Sequence, residues 1–276
     1  MIQDQKHIQY TYFRQGGWER VDAAIIVEAP VTLTVNGQDW LTFMCTPNQQ
    51  DALAVGFLFN EGIINTMREV ASLHVCAHGD NVDVWLTHTA EKPEQWRRTS
   101  GCTGGVTAND HETIRPIIQN GVTLTAGQVG QLVDQLFGAQ QLYRQVRGVH
   151  TSVLSDGRRA RVMAEDIGRH NSVDKIAGRC LLDGLRLRRK ILLTTGRISS
   201  EMLQKAARLG APIVISRTSP SSLSIELAQK WGITLIGYAR RDRFNVYAHP
   251  ARIVSSYQTD NTEVHNAAEY DYAPGD

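Results

Sequence analysis

Cysteine is scarce and poorly placed for pairing. The 276 residues hold four, Cys45, Cys76, Cys102 and Cys180, and no CxxC occurs. This excludes a disulfide framework and a zinc ribbon, and leaves free thiols of the kind kept in a reducing compartment. Long hydrophobic runs are absent too. No segment approaches roughly 18 consecutive apolar residues, the length that would span a bilayer. The opening MIQDQKHIQYTYF lacks the apolar stretch of a secretory signal. A cytoplasmic protein with no membrane contact is expected. Nor is there an excess of either charge: 29 Lys and Arg stand against 28 Asp and Glu. That balance excludes a general polyanion binder, and with it nucleic acid, but not a local anion site. Neither GxGxxG nor GxxxxGK[ST] is present, so no Rossmann fingerprint or P-loop is expected.

What is there suffices for a core, since 42% of the residues are hydrophobic. The first part of the chain reads as β-rich. VTLTVNGQDWLTFM alternates on both sides of Asn36-Gly37, a hairpin signal. DALAVGFLFNEG has helical spacing and stops at Gly62. ASLHVCAHGDNVDVWL reads as a second hairpin, turning at Gly79 to Asn81. The long polar segment THTAEKPEQWRRTSGCTGGVTAND follows. A structureless stretch of that length is either functional or disordered, and its Trp96, Arg97, Arg98 and Cys102 favour function.

From Leu124 the pattern changes. TAGQVGQLVDQLFGAQQLYRQV reads as one helix opened by a Thr125 and Gln128 capping box. A hairpin at Asp156-Gly157 and the helix GRHNSVDKIAGRCLLDG come next. KILLTTG, APIVIS and ITLIGYA then alternate with two helices. This β-α-β-α-β order predicts a parallel-sheet core, and FNVYAH adds one more strand. The expected division is a β-rich lobe over 1–112, an α/β lobe over 113–256 and a disordered, acidic tail over 257–276.

The three predicted parallel strands run into similar chemistry. The first leads to Gly196, Arg197 and Ser199-Ser200, the second to Ser216, Arg217 and Thr218, the third to Arg240, Arg241, Asp242 and Arg243. Ligands of open parallel sheets bind beyond the carboxyl ends of the strands. Helix N-termini and arginine forks both favour phosphate. The three loops therefore predict a site for a nucleotide or pyrophosphate, although each loop alone reads as ordinary surface. AEDIGRHNSVDK brings Glu165, Asp166, Arg169, His170, Asp174 and Lys175 to a strand-to-helix turn. Asp166 or Asn171 could cap that helix and Arg169 could pair with Asp174, or His170 and Arg169 could serve as ligand contacts or His170 as a base. His150, in GVHTSVL, reads as structural. Cys102 stands apart from the other three thiols. It is flanked by Gly101, Gly104 and Gly105, which let the backbone approach a partner closely. Arg97 and Arg98 precede it, and nearby cations lower a thiol pKa. This is the placement of a nucleophile or sulfur carrier.

EAPVTLTVNG, ALAVGFLFNEGII, TSGCTGG, EDIGRHNSVDKIAG, LLTTGRISSEMLQKAA and SRTSPSSLSIELAQKWGITLIGYARRDRFNVYAH together resemble the formate dehydrogenase accessory sulfurtransferase family, FdhD/NarQ. The likeness runs from about Asp22 to Arg252. It implies a second lobe with a cytidine-deaminase-like three-layer α/β/α fold and a mostly parallel sheet. It does not imply deaminase zinc chemistry, because the H-x-E and P-C-x-x-C ligands are missing. It implies a sulfur carrier: Cys102 would bear a persulfide, loaded by a cysteine desulfurase. The sulfur would pass to the molybdenum cofactor, in its bis(molybdopterin guanine dinucleotide) form, before insertion into formate dehydrogenase. Ala239 to Phe244 would match the cofactor-binding stretch, with Arg197, Arg217 and His170 beside it, and no metal held by the protein itself. A homodimer is compatible with such a carrier. One departure stands out: many members carry CxxC here, whereas this chain has Cys102, Thr103, Gly104 and Gly105. A single thiol cannot resolve a persulfide as an internal disulfide. A non-covalent cofactor-binding chaperone is the alternative.

Overall fold

A computed structural model describes residues 3–93 and 121–254, together with the backbone of the short strand pair at 97–98 and 106–107. The chain opens with a ribbon of two antiparallel strands, β1 (Gln5–Arg14) and β2 (Gly17–Ile26). Next come β3 (Ala29–Val35), β4 (Gln38–Cys45), helix α1 (Gln50–Asn60), β5 (Val70–Val75) and β6 (Asn81–Leu86). These four strands form one sheet in the order β4-β3-β6-β5. The expected first hairpin is present, with Asn36 and Gly37 both at positive φ, as a type I′ turn requires. Helix α1 stops as expected before Gly62, which is left-handed at φ 77. Alternate residues of β3, Val31, Leu33 and Val35, point inward against Leu53, Val55, Phe57 and Leu58 to make the first core.

Strands β7 (Arg97–Arg98) and β8 (Val106–Thr107) pair antiparallel. Cys102 lies between them in sequence and outside the described residues. The expected lobe boundary at 112 and 113 and the expected disordered tail also fall outside the described residues. Then follow β9 (Leu124–Thr125), α2 (Ala126–Gly138), α3 (Leu142–Val146), β10 (His150–Ser155), β11 (Ala160–Asp166), α4 (Arg169–Leu182), β12 (Ile191–Thr194), α5 (Ser200–Arg208), β13 (Ile213–Ser216), α6 (Ser222–Trp231), β14 (Thr234–Gly237), β15 (Asn245–Ala248) and β16 (Ile253–Val254). Six of these strands form the second large sheet, ordered β11-β10-β12-β13-β14-β15. Helices α4, α5 and α6 pack one face through Ile176, Met202, Leu203 and Trp231. Helix α2 packs the other through Val129, Leu132, Val133 and Leu136. The result is the expected three-layer α/β/α arrangement.

Two expectations are corrected. The sheet is mixed: β12-β13 and β13-β14 are parallel, whereas β11-β10, β10-β12 and β14-β15 are antiparallel. Crossover helices enforce parallel pairing only in the central three strands. The Asp156-Gly157 turn and the short return after β14 reverse direction, and antiparallel neighbours follow. The single helix expected over 125–146 is two. The capping box forms as read, with Thr125 Oγ1 accepting from Gln128 N. After Gly138 the chain breaks and restarts because Glu165, at the end of the sheet, receives the new helix end. Its carboxylate accepts N–H bonds from Gln141, Leu142 and Tyr143 at 3.0, 2.6 and 3.1 Å, a charged cap supplied from a distant strand.

The two cores meet through α1 and α4. Most of α1 is buried because the four-stranded sheet covers one side and α4 the other. Two glycines permit the backbones to touch. A Cβ on Gly56 would come within 1.7 Å of the Asp174 carbonyl oxygen, and one on Gly178 within 1.9 Å of that of Ala52.

Candidate functional site

The carboxyl ends of β12 and β13 open into a cavity of about 350 Å³. Its walls are the first turns of α5 and α6 and the loops that lead into them. Ser199 caps α5, its Oγ accepting from Met202 N, and Ser221 caps α6, accepting from Ser224 N. The two loops are bonded to each other: Ile198 N donates to Ser219 O at 3.2 Å and Ser221 N to Ile198 O at 2.9 Å. Two helix N-termini thus stand side by side around one opening, each with free N–H groups and the positive end of its dipole. Arg197 and Arg169 line the same cavity, with Glu201 on the opposite side of the charge balance. Arg169 is buried and lies across Gly196, where a Cβ would come within 2.8 Å of Arg169 Cβ. Glycine is therefore required after the first parallel strand for the arginine to reach the cavity. The volume lies in the range of small-ligand sites. With two arginines and two helix ends, the chemistry suits an anion of phosphate type.

The histidines stand behind this cavity. His170 sits in the first turn of α4, buried, and neither ring nitrogen has a hydrogen-bond partner among the described residues. Burial, with Lys205, Arg169 and His150 adding repulsion, holds its pKa well below the usual imidazole value. It is neutral at neutral pH. His150, at the start of β10, places Nδ1 3.4 Å from Thr195 Oγ1. Its pKa is also lowered, by burial first and then by Arg169.

The rest of the AEDIGRHNSVDK motif is structural. Asp166 accepts from Gly168 N, Asn171 Nδ2, Thr46 N and Lys175 Nζ. Asp174 pairs with Lys205, not with Arg169, because α4 turns those two residues to different sides. Lys205 Nζ lies 2.6 and 2.7 Å from the two Asp174 oxygens, and Asn60 Nδ2 donates to Oδ1.

The other arginines of the strand ends lie elsewhere on the same edge. Arg217 turns toward α2, its guanidinium 4.3 Å from the Phe137 ring centroid. Burial, then Arg240, lowers its pKa. Arg240 Nη1 donates to the carbonyls of Arg217 and Ala239, which clamps the two loops together. Ala239 is buried, with its N–H on Ser216 O, and Arg240 N closes a turn onto Arg243 O. Arg241, Asp242 and Arg243 are exposed, Arg241 lying 3.5 Å from Asp134. Phe244 packs on the α2 core. Arg197 and Arg169 share the cavity, while Arg217 and Arg240 form a second basic surface beside Phe137. The stacking partner and the contact between loops had no sequence signal. The paired serine caps did: Ser199 and Ser221 each stand three residues before the residue whose N–H they accept, Met202 and Ser224.

Three of the thiols can be placed. Cys45 is buried and its pKa is pushed up to about 12 by burial, then by Asp166. Cys180 is half-buried and raised to about 11, chiefly by burial. Both are held as thiols. Cys76 donates to Asp80 Oδ1 at 2.9 Å. Among the described residues no group of three His, Cys, Asp or Glu side chains is placed to hold a metal ion. No helix among them is long and apolar enough to cross a membrane.

A mixed α/β sheet with an anion-suited cavity at its carboxyl edge, joined to a β-rich sheet through one helix pair, defines the class. The chain belongs to the FdhD/NarQ family, whose model matches residues 26–254. It is similar to the sulfur carrier protein FdhD of Bacillus subtilis (strain 168), with 34% identity over 87% of this chain and 94% of the relative. The protein of that name from Staphylococcus haemolyticus (strain JCSC1435) is 34% identical over 92% of this chain and 97% of the relative. A solved structure described as a formate dehydrogenase accessory protein, from Desulfotalea psychrophila, superposes with a TM-score of 0.79 at 31% identity. That match covers 91% of this chain and all of the other.

Proposed function

We propose that this protein is a cytoplasmic sulfur carrier for the maturation of formate dehydrogenase, with Cys102 as the carrying residue. The observation that supports this most is the end-to-end match to relatives named sulfur carrier protein FdhD, spanning up to 92% of this chain. Two of the other three thiols agree by exclusion: Cys45 and Cys180 are held protonated by burial, which leaves them unreactive. In the first step the Cys102 thiolate attacks the terminal sulfur of a cysteine desulfurase persulfide. A new sulfur–sulfur bond forms on Cys102, and the desulfurase thiolate leaves. The persulfide then supplies sulfur to the molybdenum cofactor as substrate, in its bis(molybdopterin guanine dinucleotide) form. The cavity with Arg169, Arg197 and the α5 and α6 N-termini suits a diphosphate of that substrate. The surface of Arg217, Arg240 and the 239–244 turn suits a second.

The test is intact-protein mass spectrometry after incubation with a cysteine desulfurase and cysteine. A one-sulfur adduct removed by cyanide, present in the unmodified chain and missing from Cys102→Ala, is the expected result. No adduct on the unmodified chain, with guanosine diphosphate still bound, would replace the carrier by a non-covalent chaperone for the same cofactor. Gly105, where many members have a second cysteine, favours that second reading.

A further inference from the structure

The six-stranded sheet has a second edge, opposite the cavity, where the parallel strands begin. β12 starts at Ile191, which pairs with Ser155 of β10. The segment before it, LRLRRK over 185–190, therefore lies beside the Asp156-Gly157 turn. Contact is direct: a Cβ on Gly157 would come within 3.7 Å of Arg189 Cζ. The segment alternates. Leu185 and Leu187 are half-buried, while Arg186 and Arg188 are exposed. Arg158 and Arg159 are exposed on the adjoining turn. A chain with 29 cationic and 28 anionic side chains thus gathers Arg158, Arg159, Arg186, Arg188, Arg189 and Lys190 on one edge.

The nearby carboxylates are already engaged. Asp156 accepts from Arg158 N and Arg159 N and lies 3.9 Å from Arg161. Asp183 pairs with Arg179 at 2.7 Å. Among the described residues Arg158, Arg159, Arg186 and Arg188 make no ion pair. An unbalanced cluster of this kind steers anionic partners. Behind it is a socket of about 210 Å³. Leu154, Ala177, Leu181, Leu185 and Leu187 give it apolar walls, and Cys180 adds a thiol. Lys190 and Arg208 also line it. Lys190 Nζ donates to Leu209 O, and Arg208 donates to Phe59 O and Asn65 Oδ1. These bonds hold both cations at the socket and use only part of the three donors of a lysine and the five of an arginine. Size decides what enters. About 150 Å³ holds one benzene ring, and drug-sized ligands need about 300–1,000 Å³. The socket accepts one large apolar side chain, not a whole small molecule.

We propose that this edge docks an acidic peptide segment of a partner protein. One aromatic or leucine side chain of the segment anchors in the socket, and its carboxylates meet Arg186, Arg188, Lys190 and Arg208. Charge-assisted bonds to the arginines give the segment its orientation, and the buried anchor gives it most of its affinity. Other polyanions fit less well. Segments 156–161 and 181–190 expose no large hydrophobic side chain. Nucleic-acid bases therefore find no ring to stack on, and a bilayer receives no apolar side chain. The socket lies across the sheet from Arg197. A partner docked here leaves the cavity open, whatever that cavity holds.

The test is fluorescence anisotropy of the full chain with a labelled peptide of one phenylalanine flanked on both sides by glutamates. Binding in the micromolar range, weakened by added salt, is expected. Alanine in place of the phenylalanine should weaken it about tenfold or more. Arg186→Glu with Arg188→Glu should weaken it by a similar factor. Unchanged far-ultraviolet circular dichroism of that variant shows the fold intact. A second readout needs no substitution. The bound peptide should slow disulfide exchange of Cys180 with dithiodipyridine at alkaline pH, read by peptide mass mapping, and leave Cys76 unaffected. No binding, binding indifferent to the phenylalanine or to the two arginines, an unprotected Cys180, or equal binding of oligothymidylate or of anionic vesicles overturns the proposal.

Discussion

Lys175 of α4 and Asp166 at the end of β11 form an ion pair, Nζ to Oδ2 at 2.6 Å, with neither side chain exposed to solvent. Lys175 Nζ also donates to Thr46 O and to Asn48 Oδ1, both just past β4. Asp166 Oδ2 accepts from Thr46 N. One buried charge pair therefore fixes the end of the small sheet to the first turns of α4, directly behind His170 and Arg169. Replacing one partner leaves the other charge buried and unpaired. Lys175→Met is expected to destabilise the fold by about 3–5 kcal/mol, and Asp166→Asn in that background should recover part of the loss. Urea unfolding of the single and double variants measures both.

The crossing of α1 and α4 predicts an unusually severe effect of one added methyl group. At Gly56 and Gly178 the added Cβ would meet carbonyl oxygen on the facing helix rather than a side chain that can swing away. Gly56→Ala and Gly178→Ala should each cost at least about 1–3 kcal/mol, the range for overpacking, despite alanine's better helix propensity. Gly138→Ala, where nothing lies within 4 Å, should leave the fold unharmed. Thermal unfolding midpoints of the three variants compare them directly.

The neutral, buried His170 makes stability depend on pH. Its folded pKa lies well below 6.5 while the unfolded chain takes up the proton near 6.5. The unfolded state therefore binds more protons as pH falls through that value, and stability declines on acidification, by at most about 1.4 kcal/mol per pH unit for one group. His150, also lowered, adds in the same direction. His170→Phe should flatten the decline between neutral and mildly acidic pH. Unfolding free energies of both chains at several pH values in that range give the difference.

Arg197 offers a direct reading of the cavity. It lines the opening between the α5 and α6 N-termini, beside the caps Ser199 and Ser221. Arg197→Ala is expected to weaken binding of guanosine diphosphate by about tenfold or more, the loss of one charge-assisted contact. Calorimetric titration measures it. Arg161→Ala, which removes an exposed guanidinium 3.9 Å from Asp156 at the β10–β11 turn, away from both the cavity and the Arg217 and Arg240 surface, should have a much smaller effect.

Local pattern alone determined much of this protein. Asn36-Gly37 set one hairpin and Asp156-Gly157 another, because their turn geometry needs little help from the rest of the chain. The Thr125 and Gln128 capping box and the stop at Gly62 were legible for the same reason. The β-α-β-α-β order forced the parallel centre of the large sheet and gathered Arg197, Arg217 and Arg240 at its carboxyl edge. Tertiary contact decided what spacing could not express. Glu165 broke a continuous helical pattern by capping α3 across 23 residues of sequence. Asp174 took Lys205 as its partner instead of Arg169, and the Ile198 and Ser219 backbone bonds joined two loops into one cavity. Arg217 left that cavity for the face of Phe137. Gly56 and Gly178 look like weak points in helices until α1 and α4 are brought into contact. Sequence encodes interactions between near neighbours directly, because turn and cap geometry is local. It encodes partners across the fold only through the packing that brings them together.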